Sequence, residues 1–362
     1  MTEIIEINLC APINRLSYGI VGYNILKELR NRDIRVNLFP IGHIDCEASW
    51  VDDIKWAVTN QDDFHPTAPS LRIFHQFSLA EHVGKGKHVG FPIFELDTFT
   101  AREVHHMAYC DELCVPSEWA KDIVSIELNP HVPPEFTEKH THVVPLGVDH
   151  SVFFPAVSPP KDKFIFLNIG KWEKRKGHDV LLQAFNEEFK PEDNVELWML
   201  AANMFVDNTP WIKQYKSCKL KDKIVLLDRI ENQAQVAETM NYADCGVFPS
   251  RAEGWNLPLL EMMACGKPTI TTNCTAHTEF CTAESNVLID MKDVEPAFEE
   301  PFFRGQGNWW QFGTFQITKL KGYMRDIYTH KDNYKNCASK ARLRASQFTW
   351  SNTVDKLLWA CS

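Results

Sequence analysis

Apolar and mixed blocks alternate from the first residues. Ile4-Ile5-Glu6-Ile7-Asn8-Leu9 reads as a buried strand, residues 11–18 as a loop and residues 19–31 as a helix, before a second strand over 35–39. Strand, helix and strand at that spacing form a βαβ unit, the building block of a parallel sheet covered by helices. Residues 71–74, 88–91, 112–115 and 142–144 extend the strand series. The pattern then restarts, with strands expected at 164–169, 195–201, 223–227 and 245–248 and helices at 178–186 and 236–242. Residues 291–318 are aromatic without a clear period and read as an irregular excursion over the surface. Helices near 318–346 and 350–361 close the chain.

Two βα series predict an α/β protein of two doubly wound, Rossmann-like domains, and 362 residues exceed what one hydrophobic core usually supports. Three prolines in Pro155-Ala156-Val157-Ser158-Pro159-Pro160 mark a linker or hinge. The expected division is therefore a first domain over 1–157, a second over 158–345, and a terminal helix over 346–362 that returns to the first domain. Ligands of open α/β sheets bind beyond the carboxyl ends of the strands, so two such domains are expected to face each other across a ligand cleft.

Charge changes the picture once it is divided. Residues 1–157 hold 12 Lys+Arg against 22 Asp+Glu, whereas the remainder holds 26 of each. The excess negative charge of the first half disfavours duplex DNA or an anionic bilayer as its partner, since both call for clustered cations; peripheral membrane contact elsewhere stays open. No stretch reaches the roughly 18 apolar residues of a membrane-spanning helix, and the first ten residues carry acids where a secretory signal carries bases. The 11 cysteines are scattered without a C-x-x-C pair, as expected of reduced thiols, and a cytoplasmic location follows as an expectation.

The most informative segment runs from Phe248 to Pro268. Pro249-Ser250-Arg251-Ala252-Glu253-Gly254-Trp255-Asn256-Leu257-Pro258 parses as strand end, tight loop and helix start, and Gly266 with Pro268 as the stop. Such a loop aims the backbone N–H groups of Gly254, Trp255, Asn256 and Leu257 at whatever lies before the helix, a ready cradle for a pyrophosphate. Glu253 and Glu261 flank it eight residues apart. A carboxylate accepts hydrogen bonds from two vicinal hydroxyls, so this pair suits sugar hydroxyls at Glu253 and a ribose at Glu261. The plainer reading is a loop acid and a helix acid.

These residues resemble the retaining glycosyltransferases of the family 4 (glycosyl transferases group 1) class, whose mark is two glutamates separated by seven residues after a P-S-x-x-E-G loop. Asn168-Ile169-Gly170-Lys171-Trp172-Glu173-Lys174-Arg175-Lys176-Gly177, Val144-Pro145-Leu146-Gly147-Val148-Asp149 and Val115-Pro116-Ser117-Glu118-Trp119-Ala120-Lys121 resemble further segments of that class, so the likeness spans about residues 1 to 290. It implies a GT-B fold and transfer of a hexose-type sugar from a nucleotide diphosphate sugar, a UDP- or GDP-sugar foremost, to a hydroxyl of a glycan, glycolipid or small molecule. The resemblance makes Lys171 and Lys176 donor-phosphate ligands, with Lys171 standing where the class usually has arginine; Arg175 lies out of register to replace it. Gly19 of Ser17-Tyr18-Gly19-Ile20 is expected at the phosphate, although only one glycine stands where the class has two. Arg229 and Ile230 fall where the class contacts the nucleobase. Glu253, Lys176 and His75 are the expected catalytic residues, and Glu95 an acceptor-side residue.

No D-x-D occurs, so no metal and no cofactor beyond the donor are expected. The cluster His105, His106, Cys110 and Cys114 invites a zinc reading, but Cys114 falls in a strand and adjacent histidines diverge. Two rival functions share the fold: a catalytically silent nucleotide- or glycan-binding protein, and an enzyme glycosylating modified DNA bases.

Overall fold

The structure, a computed structural model, describes residues 4–362. The chain divides into two units, Met1–Gly147 with Phe348–Ser362, and Val148–Gln347. In the first unit the order is β1 (Glu6–Ala11), α1 (Ser17–Arg30), β2 (Arg35–Pro40), α2 (Val51–Asn60), β3 (Ser70–Ile73), β4 (His88–Phe91), α3 (Ala101–Ala108), β5 (Glu112–Val115), α4 (Glu118–Leu128), α5 (Pro134–His140) and β6 (Thr141–Val143). The strands form one parallel sheet ordered β2-β1-β3-β4-β5-β6. Strands β3, β4 and β5 are buried throughout, as a sheet covered on both faces requires.

The second unit contains β7 (Phe164–Ile169), α6 (His178–Glu188), β8 (Val195–Leu200), α7 (Thr209–Ser217), β9 (Ile224–Leu226), α8 (Gln233–Tyr242), β10 (Cys245–Phe248), α9 (Leu257–Ala264), β11 (Thr269–Asn273), α10 (His277–Phe280), β12 (Val287–Asp290), β13 (Val294–Glu299), β14 (Phe303–Trp310), α11 (Thr314–Thr329) and α12 (Lys335–Ala345). Its parallel sheet runs β12-β11-β10-β7-β8-β9, so the strand order reverses between β7 and β10. Phe166, Phe185, Phe189, Leu197 and Val247 pack its core. The last helix, α13 (Trp350–Cys361), belongs to the first unit, where Arg32, just after α1, binds Asp355 at 2.6 Å and Thr353 Oγ1 donates to the Pro145 carbonyl at 2.7 Å.

Two expectations change. Residues 155–160 are no free linker: Asn241 of α8 accepts from the Ala156 N–H (2.9 Å) and donates to the Phe154 carbonyl (3.0 Å), and its own carbonyl accepts from Ser158 Oγ (2.6 Å). One buried asparagine thus ties the proline segment to the second unit, and the division falls at Gly147–Val148 instead. The excursion at 291–318 is also ordered: β13 and β14 form an antiparallel hairpin with a register shift between Pro296 and Phe298, and α11 follows. Its period was hidden because the inward row of β13, Glu295-Ala297-Glu299, carries two acids. No helix among the described residues is long and apolar enough to cross a membrane.

Candidate active site

A reversal of strand order opens a crevice at the carboxyl ends of the two strands that part there. In the second unit those strands are β7 and β10, and the segments that leave them are 170–177 and 249–256. Topology therefore brings together the 170–177 segment and the 249–256 loop.

Lys174–Lys176 form a single 3-10 turn that ends on Gly177, whose φ of 73° favours glycine and where an added Cβ would strike the Pro249 carbonyl at 1.9 Å. That close approach seats the turn on the other loop. Lys176 Nζ donates to Glu253 Oε1 (2.7 Å) and Oε2 (2.9 Å), Arg175 Nη1 donates to Oε2 (2.8 Å), and Ser250 Oγ donates to Oε1 (2.7 Å). Each Glu253 oxygen thus already accepts two protein donors, so a sugar hydroxyl reaches it only by joining or displacing one of them. Burial alone would raise the Glu253 pKa, but Lys176 and Arg175 hold it well below the usual carboxylate range. Burial lowers the Lys176 pKa, against the opposing pull of Glu253. Arg175 is buried and also grips Glu173 Oε2 (2.7 Å) and the Ala252 carbonyl (2.7 Å), which is why it does not stand in for Lys171 at the surface. Lys171 is the half-exposed cation of the set, 3.1 Å from Glu173 and 5.4 Å from the Phe205 ring.

The helix that follows begins one residue earlier than the proline suggests. Asn256 is the N-cap, Leu257 the first helical residue and Pro258 the second, a position that also lacks a helical acceptor. Among the described residues, the backbone N–H groups of Gly254, Asn256 and Leu257 have no protein acceptor. Glu261, one turn inside, is 6% exposed, and no described group hydrogen-bonds its carboxyl. Burial alone pushes its pKa up to about 8.

The first unit has its own reversal, between β1 and β3. Gly19 lies in the first turn of α1, where a Cβ would sit 2.1 Å from the Asn14 backbone N, so its missing side chain serves the close packing of the loop against the helix. His75 follows β3 and meets Tyr18 edge-on, with ring centres 4.8 Å apart. Tyr18, noted in the sequence only as a departure from a glycine pair, is the organiser here. Its hydroxyl donates to the Ile93 carbonyl (2.6 Å) and accepts from the Ile93 N–H (3.2 Å), and burial raises its pKa, helped by the Glu95 charge. Gly19, His75 and Glu95 are thus neighbours of one half-buried tyrosine. Arg229 and Ile230 lie after β9, two strands from the reversal in the second sheet. His106 Nδ1 is occupied by the Ala80 N–H at 3.1 Å.

Arg251 and His277 carried no motif signal. Arg251 forks onto Asp179 (2.8 Å to each oxygen) and binds the Lys174 carbonyl (2.6 Å), tying the two loops from behind. His277 holds the side chain of Asn256 at 3.0 Å.

Comparison with known proteins defines the class first: this is the fold of the GT-B glycosyltransferases. Sucrose-phosphate synthase from Thermosynechococcus elongatus superposes with a TM-score of 0.72 at 14% identity, covering 99% of this chain and 100% of that one. Anabaena HepE, solved in complex with UDP and glucose, gives 0.69 at 14% identity over 99% of both chains. Residues 163–300 match the family Glycosyl transferases group 1. Mannosylfructose-phosphate synthase from Agrobacterium fabrum is 28% identical over 61% of this chain and 47% of its own length. D-inositol 3-phosphate glycosyltransferase from an Arthrobacter species is 31% identical over 54% and 52%. The chain spans about half the length of these curated relatives.

Proposed function

We propose that this protein moves a hexose-type sugar from a nucleoside diphosphate, UDP or GDP, to an acceptor hydroxyl, with retention of anomeric configuration and without a metal, in the cytoplasm. The observation that carries the proposal is Glu261: a buried carboxyl that no described group hydrogen-bonds, on a helix entered through the amides of Gly254, Asn256 and Leu257, which have no acceptor among the described residues, is a site shaped for hydroxyls beside a phosphate. In this reading the Glu261 carboxylate accepts from both ribose hydroxyls, and the amides of Gly254, Trp255, Asn256 and Leu257 receive the diphosphate. The relatives named for synthase and glycosyltransferase activities, and HepE with its UDP and glucose, support the donor class. The paired glutamates, Glu253 and Glu261, support the finer placement in family 4.

As the bond from the anomeric carbon to the diphosphate breaks, negative charge grows on the leaving oxygen. Lys171 and Lys176 supply fixed positive partners, which is the work a divalent ion would otherwise do where a D-x-D pair is present. The acceptor oxygen bonds to the same carbon on the same face, and its proton passes to a phosphate oxygen. No protein nucleophile is needed; Glu253 holds Lys176 in place and balances its charge. Gly19 is read as a further backbone contact to the donor phosphate, His75 and Glu95 as groups of the first unit that serve the transferred sugar and the acceptor, and Arg229 with Ile230 as base contacts.

A panel of UDP- and GDP-sugars, assayed for release of nucleoside diphosphate with EDTA present, tests this directly. Turnover of one donor, slow hydrolysis included, with an α-configured product from an α-configured donor, is the expected result. Absence of release across the panel would favour a silent binding protein, and loss of turnover in EDTA would remove the lysine-only account.

A further inference from the structure

The hairpin β13–β14 belongs to neither parallel sheet, and its second strand lies beyond the matched family segment. Its inward row faces the loops of the candidate donor site. Both oxygens of Glu299 accept from the Lys174 N–H, at 2.7 and 2.6 Å, at the start of the turn that carries Arg175 and Lys176. Glu295 Oε1 accepts from Arg251 Nε (3.3 Å) and Trp309 Nε1 (3.0 Å) and lies 3.5 Å from Lys174 Nζ. Arg251 in turn binds the Lys174 carbonyl through Nη1 (2.6 Å), and its backbone N–H donates to the Arg175 carbonyl (2.7 Å) while its carbonyl accepts from the Trp310 N–H (3.1 Å). The ring of Phe303 lies 5.9 Å from the Arg175 guanidinium, and that of Trp309 5.6 Å from the Lys174 ammonium. The peptide of Lys174 is therefore held at both ends, its N–H by Glu299 and its carbonyl by Arg251. Two residues further along stands Lys176.

We propose that the 294–310 hairpin is a positioning device for the donor site: Glu299, and Glu295 through Arg251, fix the 174–176 turn so that Lys176 meets Glu253 and the leaving diphosphate in one geometry. Half-burying two carboxylates on the inner face of a surface hairpin is costly unless each finds donors; here Glu299 takes the N–H of Lys174 in the turn, and Glu295 takes Arg251, which itself binds the Lys174 carbonyl, and Trp309. Burial raises the Glu299 pKa, and the backbone N–H groups of Lys174 and Arg175 oppose that rise. The inference rests on reading the second unit as the donor site. Glu299 acts only through the turn and is a positioning residue. A misplacement of about 1 Å in such a group can cost about a hundredfold in rate.

The test compares the full chain with Glu299→Ala and Glu299→Gln, the second of which keeps one acceptor oxygen. Hydrogen exchange of the 173–177 and 250–254 amides is read alongside donor kinetics. Expected in Glu299→Ala are faster exchange in both segments and a kcat at least tenfold lower, with KM for the donor within about threefold, and substantial recovery of both in Glu299→Gln. Unchanged exchange, or an unchanged kcat in an active wild type, would overturn the positioning role. An equal loss in both variants that follows a lowered Tm would overturn it too, by reducing Glu299 to a stability residue. If the wild type itself turns over no donor, the functional reading fails while the exchange data still decide whether the hairpin holds the turn.

Discussion

Asn256 and His277 form a buried pair that shapes the start of α9. Asn256 has φ 83° and ψ 70°, its Oδ1 accepts from the Leu259 N–H (3.4 Å), and its Nδ2 faces His277 Nε2 at 3.0 Å. His277 Nδ1 lies 3.0 Å from the Thr272 carbonyl, which fixes that nitrogen as the donor and leaves Nε2 to accept from Asn256. A left-handed backbone tolerates glycine, and asparagine is the residue that adds a capping oxygen and an amide donor there.

Asn256→Gly should therefore fold, losing about 1–2 kcal/mol from the missing cap and the unpaired His277 nitrogen. Asn256→Ala adds the left-handed cost of about 1–2 kcal/mol and should melt lower still. Thermal unfolding should rank wild type, Gly, then Ala; Ala at or above Gly would contradict the role given to φ.

Glu261 makes nucleotide binding depend on pH. Its carboxyl, with a pKa pushed up to about 8 by burial, is largely protonated at neutral pH, while two ribose hydroxyls favour the ionised form. Binding should release a proton and tighten as pH rises toward 8, then level off. Calorimetry in buffers of different ionisation heat measures that proton, and Glu261→Gln should abolish its release. The same group affects stability with a definite sign. The folded state holds the proton more tightly than the unfolded chain, so stability falls as pH rises from about 4.5 to about 8 and is flat above. Glu261→Gln should accordingly stabilise the protein at pH 8.5 by up to a few kcal/mol, and by much less at pH 5.

Glu253 and Lys176 should respond unequally. Glu253→Gln leaves the mostly buried Lys176 without its carboxylate partner and Arg175 with Glu173 alone, and should cost about 3–5 kcal/mol along with activity. Lys176→Ala leaves Glu253 paired with Arg175 and Ser250. It should fold and bind nucleotide, yet turn over at least a hundredfold more slowly. Chemical denaturation beside single-turnover rates separates the two effects. Because Glu253 has a depressed pKa, its stabilising contribution is present above about pH 4.5 and is lost as pH falls below that value.

Much of this was legible in the sequence. Apolar runs such as Phe164–Ile169 and Cys245–Phe248 are buried on both faces and read as strands without ambiguity. Pro258 and Gly266 bracket α9 to within a residue. The parts that escaped depend on contacts distant in sequence. Asn241 anchors a proline segment more than eighty residues away, so that segment read as a linker. The acids of β13 broke its alternation, and only Lys174 and Arg251 explain why they face inward. Arg175 looked like a misplaced phosphate ligand because nothing local shows that Glu173 and Glu253 claim it. β11 carries Thr271 and Thr272 at buried positions, which masks it as a core strand.

Isothermal titration of UDP, GDP and ADP into the wild type and Glu261→Ala bears most directly on the claim that the α9 helix start is a nucleoside diphosphate site. One of the three should bind the wild type, with affinity at least tenfold weaker in the variant. Equal affinity in both proteins, or no binding of any of the three to the wild type, would contradict it.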